Sequence, residues 1–364
     1  MDAAAKNGNT ASHSGQMIGP SDVILVTGAA GFIGKRVVRN LLRRGFRDVR
    51  CLVRPSRNRS ELDAVALSNP SGSMEVIRGN LLSRQDCTMA TQDVTVVYHL
   101  AASTGEKSFP DAFMNSALAT RNLIEEFLEF GKPKRFVCVS SFAVYSNTTL
   151  KRGALVDETC PLEQKPYERF DAYAFGKLKE EQTVRKYGVE QTLPYVILRP
   201  GVVFGPGKPA LSGRIGTNTF GFFMHMGGSN QLPLTFVDNC ADAIVLAGLK
   251  SGIDGEVFNV VDDELLTSNE FLAAYKAASG KFRSIRVPYG IAHALSWVWE
   301  KYSEWSEGQL PPAFNRRRCS AEWKGNRFSN AKIRQRLEWR PLVSMNEAME
   351  AFLGQFAANR STSQ

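Results

Sequence analysis

The spacing of hydrophobic positions changes within residues 22–46. Residues 23–26 are all apolar, which is typical of a strand buried on both faces. After the segment TGAAGFIG (27–34), apolar residues recur at helical spacing up to Gly45, and a second apolar run, VRCLV, occupies 49–53. The pattern predicts a strand, a glycine-rich loop, a helix and a second strand within about thirty residues.

The same alternation continues along the chain. Buried strands are predicted at 135–141 (RFVCVSS) and 195–200 (YVILRP), and an amphipathic helix at 120–131, ending at Gly131. A second helix is predicted at 267–280, where Thr267 and Glu270 can form a capping box and Gly280 ends the helix. This alternation predicts the α/β fold class, with a Rossmann-type, doubly wound and mostly parallel sheet.

Two segments bear on membranes and export. The apolar run YGIAHALSWVW (289–299) is too short to cross a bilayer, so we expect a packed helix and no integral membrane segment. Residues 1–20 are small and polar and lack the features of a secretory signal, so we expect a disordered tail.

The cysteines and the net charge indicate the cellular compartment and the classes of partner. The six cysteines are scattered and no histidine–cysteine cluster appears, which predicts no metal site and a cytoplasmic protein with free thiols. The net charge of +9 is compatible with nucleic acid, an anionic membrane surface or a phosphate-bearing ligand. No nucleic-acid-binding motif accompanies the basic segments, so we expect no nucleic acid partner.

The glycine-rich loop has the spacing of a phosphate cradle. Gly28 permits a tight turn, Gly31 lets the backbone approach a pyrophosphate, and Gly34 lets the helix pack closely on the strand. The helix that follows directs its free N–H groups at the phosphates. With Phe32 and Ile33 in the same loop, the segment predicts a dinucleotide site rather than a turn without a ligand.

The residue after the second strand indicates which dinucleotide is bound. An acidic residue there would accept a hydrogen bond from the ribose 2′-hydroxyl of NAD, but this chain has Arg54, followed by Arg57 and Arg59. Arginine suits an anionic 2′-phosphate, so NADP is the predicted cofactor and NAD the alternative. The competing interpretation is that these arginines are solvated loop residues.

The segment RFDAYAFGKLKEE (169–181) places Tyr173 and Lys177 four residues apart. On a helix the two side chains would lie one above the other. The spacing is also common in helices where the aromatic ring is buried and the lysine reaches water. The pair alone therefore does not distinguish an active site from ordinary packing.

Five segments together resemble a known family. In order they are TGAAGFIG (27–34), YHLAA (98–102), VSSFAVYS (139–146), YAFGK (173–177) and LRPGVVFGPG (198–207). Their order is similar to that of the extended short-chain dehydrogenases/reductases, also called the NAD-dependent epimerase/dehydratase family. The resemblance extends from about residue 22 to 345.

The resemblance implies a set of catalytic residues. Tyr173 would exchange the proton of the reacting hydroxyl, and the Lys177 ammonium would favour the phenolate and hold the nicotinamide ribose. Ser141 would hydrogen-bond the reacting oxygen, with Ser140 as the second choice. Asn115 matches an asparagine that the family has near this site.

The resemblance also implies the cofactor-binding residues and the division of the chain. Besides the glycine loop, Arg54, Tyr173 and Lys177, the cofactor-binding residues would be Asn80, Leu81, Ala101, Ala102 and Pro200. An NAD(P)-binding Rossmann domain is expected at 21–205, with 236–280 returning to it. A smaller substrate-binding part is expected from 206–235 and 282–345, followed by a C-terminal helix and tail at 346–364.

Departures from the family pattern reduce the number of reactions that the chain could catalyse. Phe142 and Ala143 replace the Asp-Glu pair of the dehydratases, so elimination of water is not expected. Leu232 and Asn239 replace an arginine and an aspartate of nucleotide-sugar epimerases, which favours the hydroxysteroid-dehydrogenase-like branch. The phenylalanine- and methionine-rich segment 213–228 suits an apolar ligand or core packing. Arg214 and the segment NRRRC (315–319) could instead replace the missing diphosphate clamp.

Three functions follow in order of preference. The first is an NAD(P)-dependent oxidoreductase that acts on a secondary alcohol or its ketone. The second is a nucleotide-sugar epimerase with tightly bound NAD, and the third is a non-catalytic dinucleotide sensor, which the presence of Ser141, Tyr173 and Lys177 disfavours. The expected partner is a small-molecule substrate, and a homodimer is an option that the sequence does not decide.

Overall fold

A computed structural model describes residues 16–69, 72–101, 108–219, 221–280, 282–307 and 309–361. Its central element is a seven-stranded sheet with the order β12–β7–β5–β4–β1–β2–β3. Every neighbouring pair of strands in it is parallel. The strands are β1 (Val23–Thr27), β2 (Asp48–Val53), β3 (Met74–Arg78), β4 (Val96–His99), β5 (Arg135–Val139), β7 (Tyr195–Pro200) and β12 (Val257–Val260).

Helices cover both faces of this sheet. Each strand alternates its side chains between two hydrophobic clusters: Ile24 and Val26 belong to one, and Leu25 belongs to the other. The helices are α1 (Gly34–Arg43), α2 (Ser60–Leu67), α3 (Arg84–Thr91), α4 (Phe109–Ala112), α5 (Ala119–Phe130), α6 (Pro166–Arg169), α7 (Ala172–Glu190), α8 (Val237–Leu249), α9 (Ser268–Ser279), α10 (Tyr289–Trp305), α11 (Arg316–Trp323), α12 (Ala331–Arg336) and α13 (Met345–Ser361). The predicted α/β class with a doubly wound parallel sheet is confirmed.

The two helices predicted from the sequence are present with the expected ends. Helix α5 ends before Gly131. Helix α9 begins with a capping box, in which Thr267 and Glu270 satisfy each other's backbone N–H groups. The apolar spacing with Gly131 located α5, and the capping box located α9.

Segments between and after the strands of the main sheet build three smaller sheets. Their strands are β6 (Leu155–Val156), β8 (Val202–Phe204), β9 (Gly216–Thr219), β10 (Phe222–His225), β11 (Leu234–Phe236), β13 (Ser284–Arg286) and β14 (Arg327–Phe328). Strand β10 pairs with β9 and also with β13. Residues from 206–235 and 282–345 thus meet in one sheet, and assignment of this unit to substrate binding stays a prediction.

The beginning of the described chain differs from the expectation of a tail over residues 1–20. Gln16 forms a bridge with Lys250, the Met17 N–H donates to the Leu249 carbonyl oxygen at 2.9 Å, and Ile18 is buried. Ile18 joins the main hydrophobic cluster, so the expectation was wrong for residues 16–20. Residues 1–15 lie outside the described residues.

Asn239 has a structural contact that the sequence did not suggest. Its Oδ1 accepts from the N–H groups of Leu342 and Val343, both at 2.9 Å, and its Nδ2 donates to the Val343 carbonyl oxygen at 2.8 Å. An aspartate has no N–H to make the last of these bonds. Asn239 therefore fastens the C-terminal segment to α8, and it carries no information about the substrate.

Asp262 lies beside this junction with its carboxylate buried. Its Oδ2 accepts from the Phe236 N–H at 2.8 Å, whereas Oδ1 has no partner among the described residues. Burial raises the pKa of Asp262 to about 7, although the bonds from Phe236 and Asn239 oppose the shift.

This carboxyl gives the fold a specific pH dependence. Because the pKa is raised in the folded state, its stabilising effect is complete below the unfolded value of about 3.9 and is lost as the pH rises through about 7. We expect the free energy of unfolding to fall between about pH 5 and about pH 8, relative to Asp262→Asn, which cannot ionise. Urea denaturation at both values measures this, and parallel behaviour of the two proteins would contradict it.

Helix α10 does not match the expected packed helix. Its large apolar side chains, among them Ile291, Leu295 and Trp305, are exposed. No helix in the described part of the chain is long and apolar enough to span a membrane.

Candidate active site

A cavity of about 790 Å³ opens at the carboxyl ends of the parallel strands. Residues that follow or end six strands of the main sheet line it, which is where open α/β sheets bind ligands. They are Gly28 after β1, Arg54 after β2, Asn80 after β3, Ala101 after β4, Ser141 after β5 and Pro200 at the end of β7.

Every predicted site residue that the structure describes lines this one cavity. Ala102 lies outside the described residues. The others are Gly28, Gly31, Phe32, Ile33, Gly34, Arg54, Asn80, Leu81, Ala101, Asn115, Ser141, Tyr173, Lys177 and Pro200. Residues separated by up to 172 positions in the chain are thereby brought to a single site.

The glycine loop has no room for side chains. Gly28 has a φ of +68°, and a Cβ there would lie 2.9 Å from the Ala101 nitrogen. A Cβ on Gly34 would lie 2.2 Å from the Gly28 carbonyl oxygen. Helix α1 begins at this loop without a side-chain cap. The Lys35 and Arg36 N–H groups already donate to carbonyl oxygens of the loop, so the N–H groups left for an anionic ligand are those of residues 32–34.

The three arginines after β2 have different environments. Arg54 and Arg57 line the cavity and form no ion pair within the described residues. Arg59 is not part of the lining, and its Nε lies 3.2 Å from Asp63 on the same helix. Arg54 and Arg57 are exposed, as the solvated-loop interpretation expects, and they also line the cavity, whereas Arg59 is half-buried and paired.

The two serines at the end of β5 both line the cavity. The Ser141 Oγ accepts from the Ala143 N–H at 3.2 Å and so caps the short 3₁₀ turn Phe142–Val144, and its hydroxyl hydrogen stays available. The Ser140 Oγ is buried and has no hydrogen-bond partner in the described structure. Each serine could donate to an oxygen atom in the cavity.

Asn115 lies on an unusual turn of helix. Residues Phe113–Leu118 form a π-helical turn, a distortion that is frequent at functional sites. The Asn115 Nδ2 donates to the Asp111 carbonyl oxygen at 3.0 Å, which leaves its side-chain oxygen free to accept. Gly176 of α7 packs against this turn, where a Cβ would lie 2.9 Å from the Ser116 Oγ.

Helix α7 carries Tyr173 and Lys177. It begins at Asp171, whose side chain accepts from the Ala174 N–H at 2.9 Å and forms an ion pair with Arg169 at 2.9 Å. Tyr173 is half-buried at the cavity, and Lys177 is buried one turn further along. Both side chains face the cavity, as the helical spacing predicted.

The Lys177 ammonium is held from two sides. It donates to the Val139 carbonyl oxygen at 2.7 Å and to the Glu180 carboxylate at 2.8 Å. Burial lowers the pKa of Lys177, but Glu180 and Tyr173 more than offset this and raise it to about 12. The other oxygen of the Glu180 carboxylate accepts as well, at 3.1 Å, so the three N–H donors of the ammonium have three acceptors.

Glu180 was missed by the sequence analysis. It is fully buried, forms the ion pair with Lys177, and accepts from the Cys138 Sγ at 3.3 Å. The available signal was its position three residues after a lysine on the same helix. That spacing is ordinary on exposed helices, so burial, which the sequence did not reveal, was the missing information.

His99 was also missed. It is buried between the hydroxyls of Thr27, 2.8 Å from Nδ1, and Thr120, 2.9 Å from Nε2. Burial and the nearby Lys177 lower the pKa of His99 to about 3, so this imidazole is neutral. The Thr27 hydroxyl also accepts from the Ala101 N–H at 3.2 Å, which fixes the loop after β4 beside the glycine loop.

The proposed substitutes for a diphosphate clamp lie elsewhere. Arg214 is not part of the cavity lining and donates to the Ala321 carbonyl oxygen at 3.1 Å. The arginines at 316–318 form ion pairs with glutamates. Of segment 213–228, only Ile215 lines the cavity, whereas Phe223 and Met226 belong to hydrophobic clusters.

The charged residues that line the described part of the cavity are all basic. Among the described lining residues there is no aspartate or glutamate, and the charged ones are Arg54, Arg57, Lys177 and Lys208. The larger apolar residues on the C-terminal side of β7 in this lining are here called the apolar wall: Val202, Val203, Phe204, Leu211, Ile215, Leu234, Phe271 and Phe352. Six of them are buried in the main hydrophobic cluster, and Val202 and Leu211 are partly buried. The cavity can therefore accept phosphates together with an apolar molecule, but it offers no carboxylate pair for elimination.

Comparison with known proteins identifies the family. The family model described as NAD dependent epimerase/dehydratase family matches residues 24–260. The chain belongs to this family, and the resemblance inferred from the five motifs is confirmed. The matching segment contains the glycine loop, both serines and the Tyr173–Lys177 pair.

Three relatives illustrate the range of the family. Sterol-4-alpha-carboxylate 3-dehydrogenase, decarboxylating, of Mus musculus is 25% identical over 95% of this chain and 94% of its own. The 3-beta-hydroxysteroid dehydrogenase of Mycolicibacterium neoaurum is 26% identical over 90% and 89%. The crystal structure of UDP-glucuronic acid 4-epimerase from Bacillus cereus with UDP-glucuronic acid and NAD has a TM-score of 0.69, with 24% identity over 92% and 99%. The prediction that the chain is an enzyme of this family is confirmed.

Removing Glu180 should expose the energetic cost of a buried ammonium. We expect Glu180→Ala to lower the free energy of unfolding by about 3–5 kcal/mol, because Lys177 loses its only nearby carboxylate contact among those described. Replacing both partners, as Lys177→Met with Glu180→Leu, should recover most of the loss. Chemical denaturation measures all three proteins.

Glu190 provides the matched control on the same helix. It forms an exposed ion pair with Lys186, so Glu190→Ala should cost less than about 1 kcal/mol. Equal effects of Glu180→Ala and Glu190→Ala would show that the buried pair has no special importance.

Proposed function

We propose that this protein is an NAD(P)-dependent dehydrogenase or reductase that interconverts a secondary alcohol and its ketone on a lipophilic, steroid-like molecule. The observation that carries the proposal is the continuity of one cavity. It extends from the glycine loop, past Ser141 and Tyr173, to an apolar wall, and no carboxylate lines its described part.

The residues present fit a dinucleotide. The loop at Gly28–Gly34 leaves backbone N–H groups uncovered, and any side chain on Gly34 would collide with the Gly28 carbonyl oxygen. Arg54 and Arg57 would hold the adenosine end, and Lys177, which lines the cavity, would bind the nicotinamide ribose by sharing an N–H with one of its present acceptors. When bound, the nicotinamide ring supplies or accepts the hydride.

The side chains of this site would manage the proton. In the oxidation direction, Tyr173 would accept the hydroxyl proton of the substrate while the carbon bearing that hydroxyl loses its hydride. Lys177, one turn further along α7, lines the same cavity as Tyr173. The Ser141 hydroxyl would donate to the substrate oxygen and hold it against Tyr173.

Two observations support a lipophilic substrate over a nucleotide sugar. Phe204 and Phe271 of the apolar wall are already buried, but Val202 and Leu211 are only partly buried, and covering them with a ligand is favourable if the ligand is apolar. The arginines that could have bound a second diphosphate, Arg214 and those at 316–318, are engaged elsewhere. The sterol and hydroxysteroid dehydrogenases among the relatives point in the same direction.

Cofactor turnover tests the reaction class. With a 3β-hydroxysteroid and NADP⁺ or NAD⁺, the reduced cofactor should accumulate in a one-to-one ratio to ketone product. An epimerase would recycle its cofactor and accumulate none. Absence of any ketone from the parent protein across a panel of 3β-hydroxysteroids would contradict the proposed substrate class.

Tyr173→Phe tests the proton-transfer step. The substitution keeps the ring and its packing but deletes the hydroxyl, so single-turnover hydride transfer should fall by roughly two to four orders of magnitude. Cofactor affinity should stay within a few-fold of the parent, because the glycine loop is untouched.

Tyr167→Phe is the matched control, since this exposed tyrosine precedes α7 and is not part of the cavity lining. It should leave turnover unchanged. If Tyr173→Phe retained activity similar to that of Tyr167→Phe, Tyr173 would not be the acid–base group.

We further propose that NADP is preferred over NAD, because Arg54 lines the cavity without an acidic partner among the described residues. Arginine–phosphate contacts of this kind should make NADPH bind about tenfold tighter than NADH. Arg54→Asp should abolish or reverse the preference in a fluorescence titration of both cofactors.

Arg59→Asp is the control, because Arg59 pairs with Asp63 and is not part of the lining. The Arg59→Asp variant should still bind NADPH more tightly than NADH. A parent protein that binds NADH as tightly as NADPH would refute the role of Arg54.

A further inference from the structure

Helix α10 buries its small side chains and exposes its large apolar ones. The residues it buries against the protein are small: Ala292, Ser296 and Ser303. Its large apolar residues face outward, with Ile291 54%, Leu295 50% and Trp305 77% exposed. A surface helix normally has the opposite arrangement, with its large apolar side chains in the core.

The outward residues form one continuous stripe. They recur at the spacing of a single helical face over the four to five turns of α10. The stripe consists of Ile291, Leu295, Val298, Tyr302 and Trp305, whereas Trp297 and Trp299 are exposed outside it, on opposite sides. Three of the five tryptophans of the chain lie on this helix, whereas Trp323 and Trp339 are buried. Exposed apolar surface of this extent marks an interaction site.

The charges of α10 indicate what covers the stripe. Its two acidic residues, Glu300 and Glu304, lie off the stripe, and each forms an ion pair, with Arg316 at 2.7 Å and Lys301 at 2.7 Å. Just before the helix, Arg283 and Arg286 are exposed and form no ion pair within the described residues. Glu307, just after the helix, is exposed and forms no ion pair within the described residues, so the uncompensated charges flanking α10 are two arginines and one glutamate. This is a positive excess, in a chain of net charge +9.

We propose that α10 docks the protein onto an anionic phospholipid surface and lies in the plane of the interface. Tryptophan and tyrosine favour the headgroup region, where the ring is in an apolar layer and its polar atom meets water. The apolar stripe would enter the boundary between headgroups and acyl chains, while Arg283 and Arg286 meet lipid phosphates. At 17 residues, the helix suits this position and does not cross the bilayer.

This inference stands independently of the proposed reaction. It would also explain how a water-accessible cavity obtains a substrate that partitions into lipid. Strand β13, immediately before α10, pairs with β10 in the unit expected to bind the substrate. Docking through α10 would therefore hold that unit against the membrane.

Co-sedimentation with vesicles tests the proposal. The full chain should bind mixed vesicles of phosphatidylcholine and phosphatidylglycerol, bind pure phosphatidylcholine more weakly, and dissociate as salt is raised. Tryptophan emission should shift to shorter wavelength on binding. The variant Leu295→Ser/Val298→Ser should lose about tenfold or more in vesicle partitioning, because two apolar side chains leave the interface.

The variant Leu67→Ser/Val189→Ser is the matched control. It removes two exposed apolar side chains far from α10 in the sequence and should bind vesicles like the parent. Thermal unfolding should be nearly the same in all three proteins, because every substituted side chain is exposed.

Three outcomes would overturn the proposal. One is a parent protein that does not bind the anionic vesicles, and another is equal loss of binding in both double variants. The third is a parent that is dimeric in solution and becomes monomeric in Leu295→Ser/Val298→Ser, with no vesicle binding by either. In that case a second copy of the chain would cover the stripe.

Discussion

The site depends on one buried ammonium group. Lys177 joins the end of β5, through the Val139 carbonyl oxygen, to Glu180 on its own helix. A buried ammonium is tolerated only when its charge is compensated, so this pair constrains how α7 sits against the sheet. Tyr173 lies one turn earlier on that helix, and its position at the cavity follows from the same constraint.

The parallel sheet brings the other residues of the site together. Because all carboxyl ends of its strands lie at one edge, residues far apart in sequence meet there without long loops. The neutral His99 and the hydroxyl of Thr27 fix the turns after β1 and β4, next to the glycine loop. The result is a cavity with cationic and backbone donors along one part and apolar side chains along another.

Sequence reasoning succeeded where the cause is local. The glycine spacing, the capping box at Thr267 and the four-residue interval between Tyr173 and Lys177 each fix a backbone geometry within a few residues. Sequence reasoning failed where the role of a residue depends on whether its side chain is buried. Glu180 has the same spacing as an exposed helix pair, and the apolar stripe of α10 could equally have faced the core. Residues 16–20 form contacts with the end of α8, which no local pattern encodes.

The most direct test of this account is a crystal structure of the protein with NADPH. The account predicts the pyrophosphate against the backbone at Gly31–Gly34 and the adenosine ribose beside Arg54. It predicts the nicotinamide ring between Ser141 and Tyr173, with its ribose in contact with Lys177. A dinucleotide bound outside this cavity, or bound with its nicotinamide ring remote from the Tyr173 hydroxyl, would contradict the central claim.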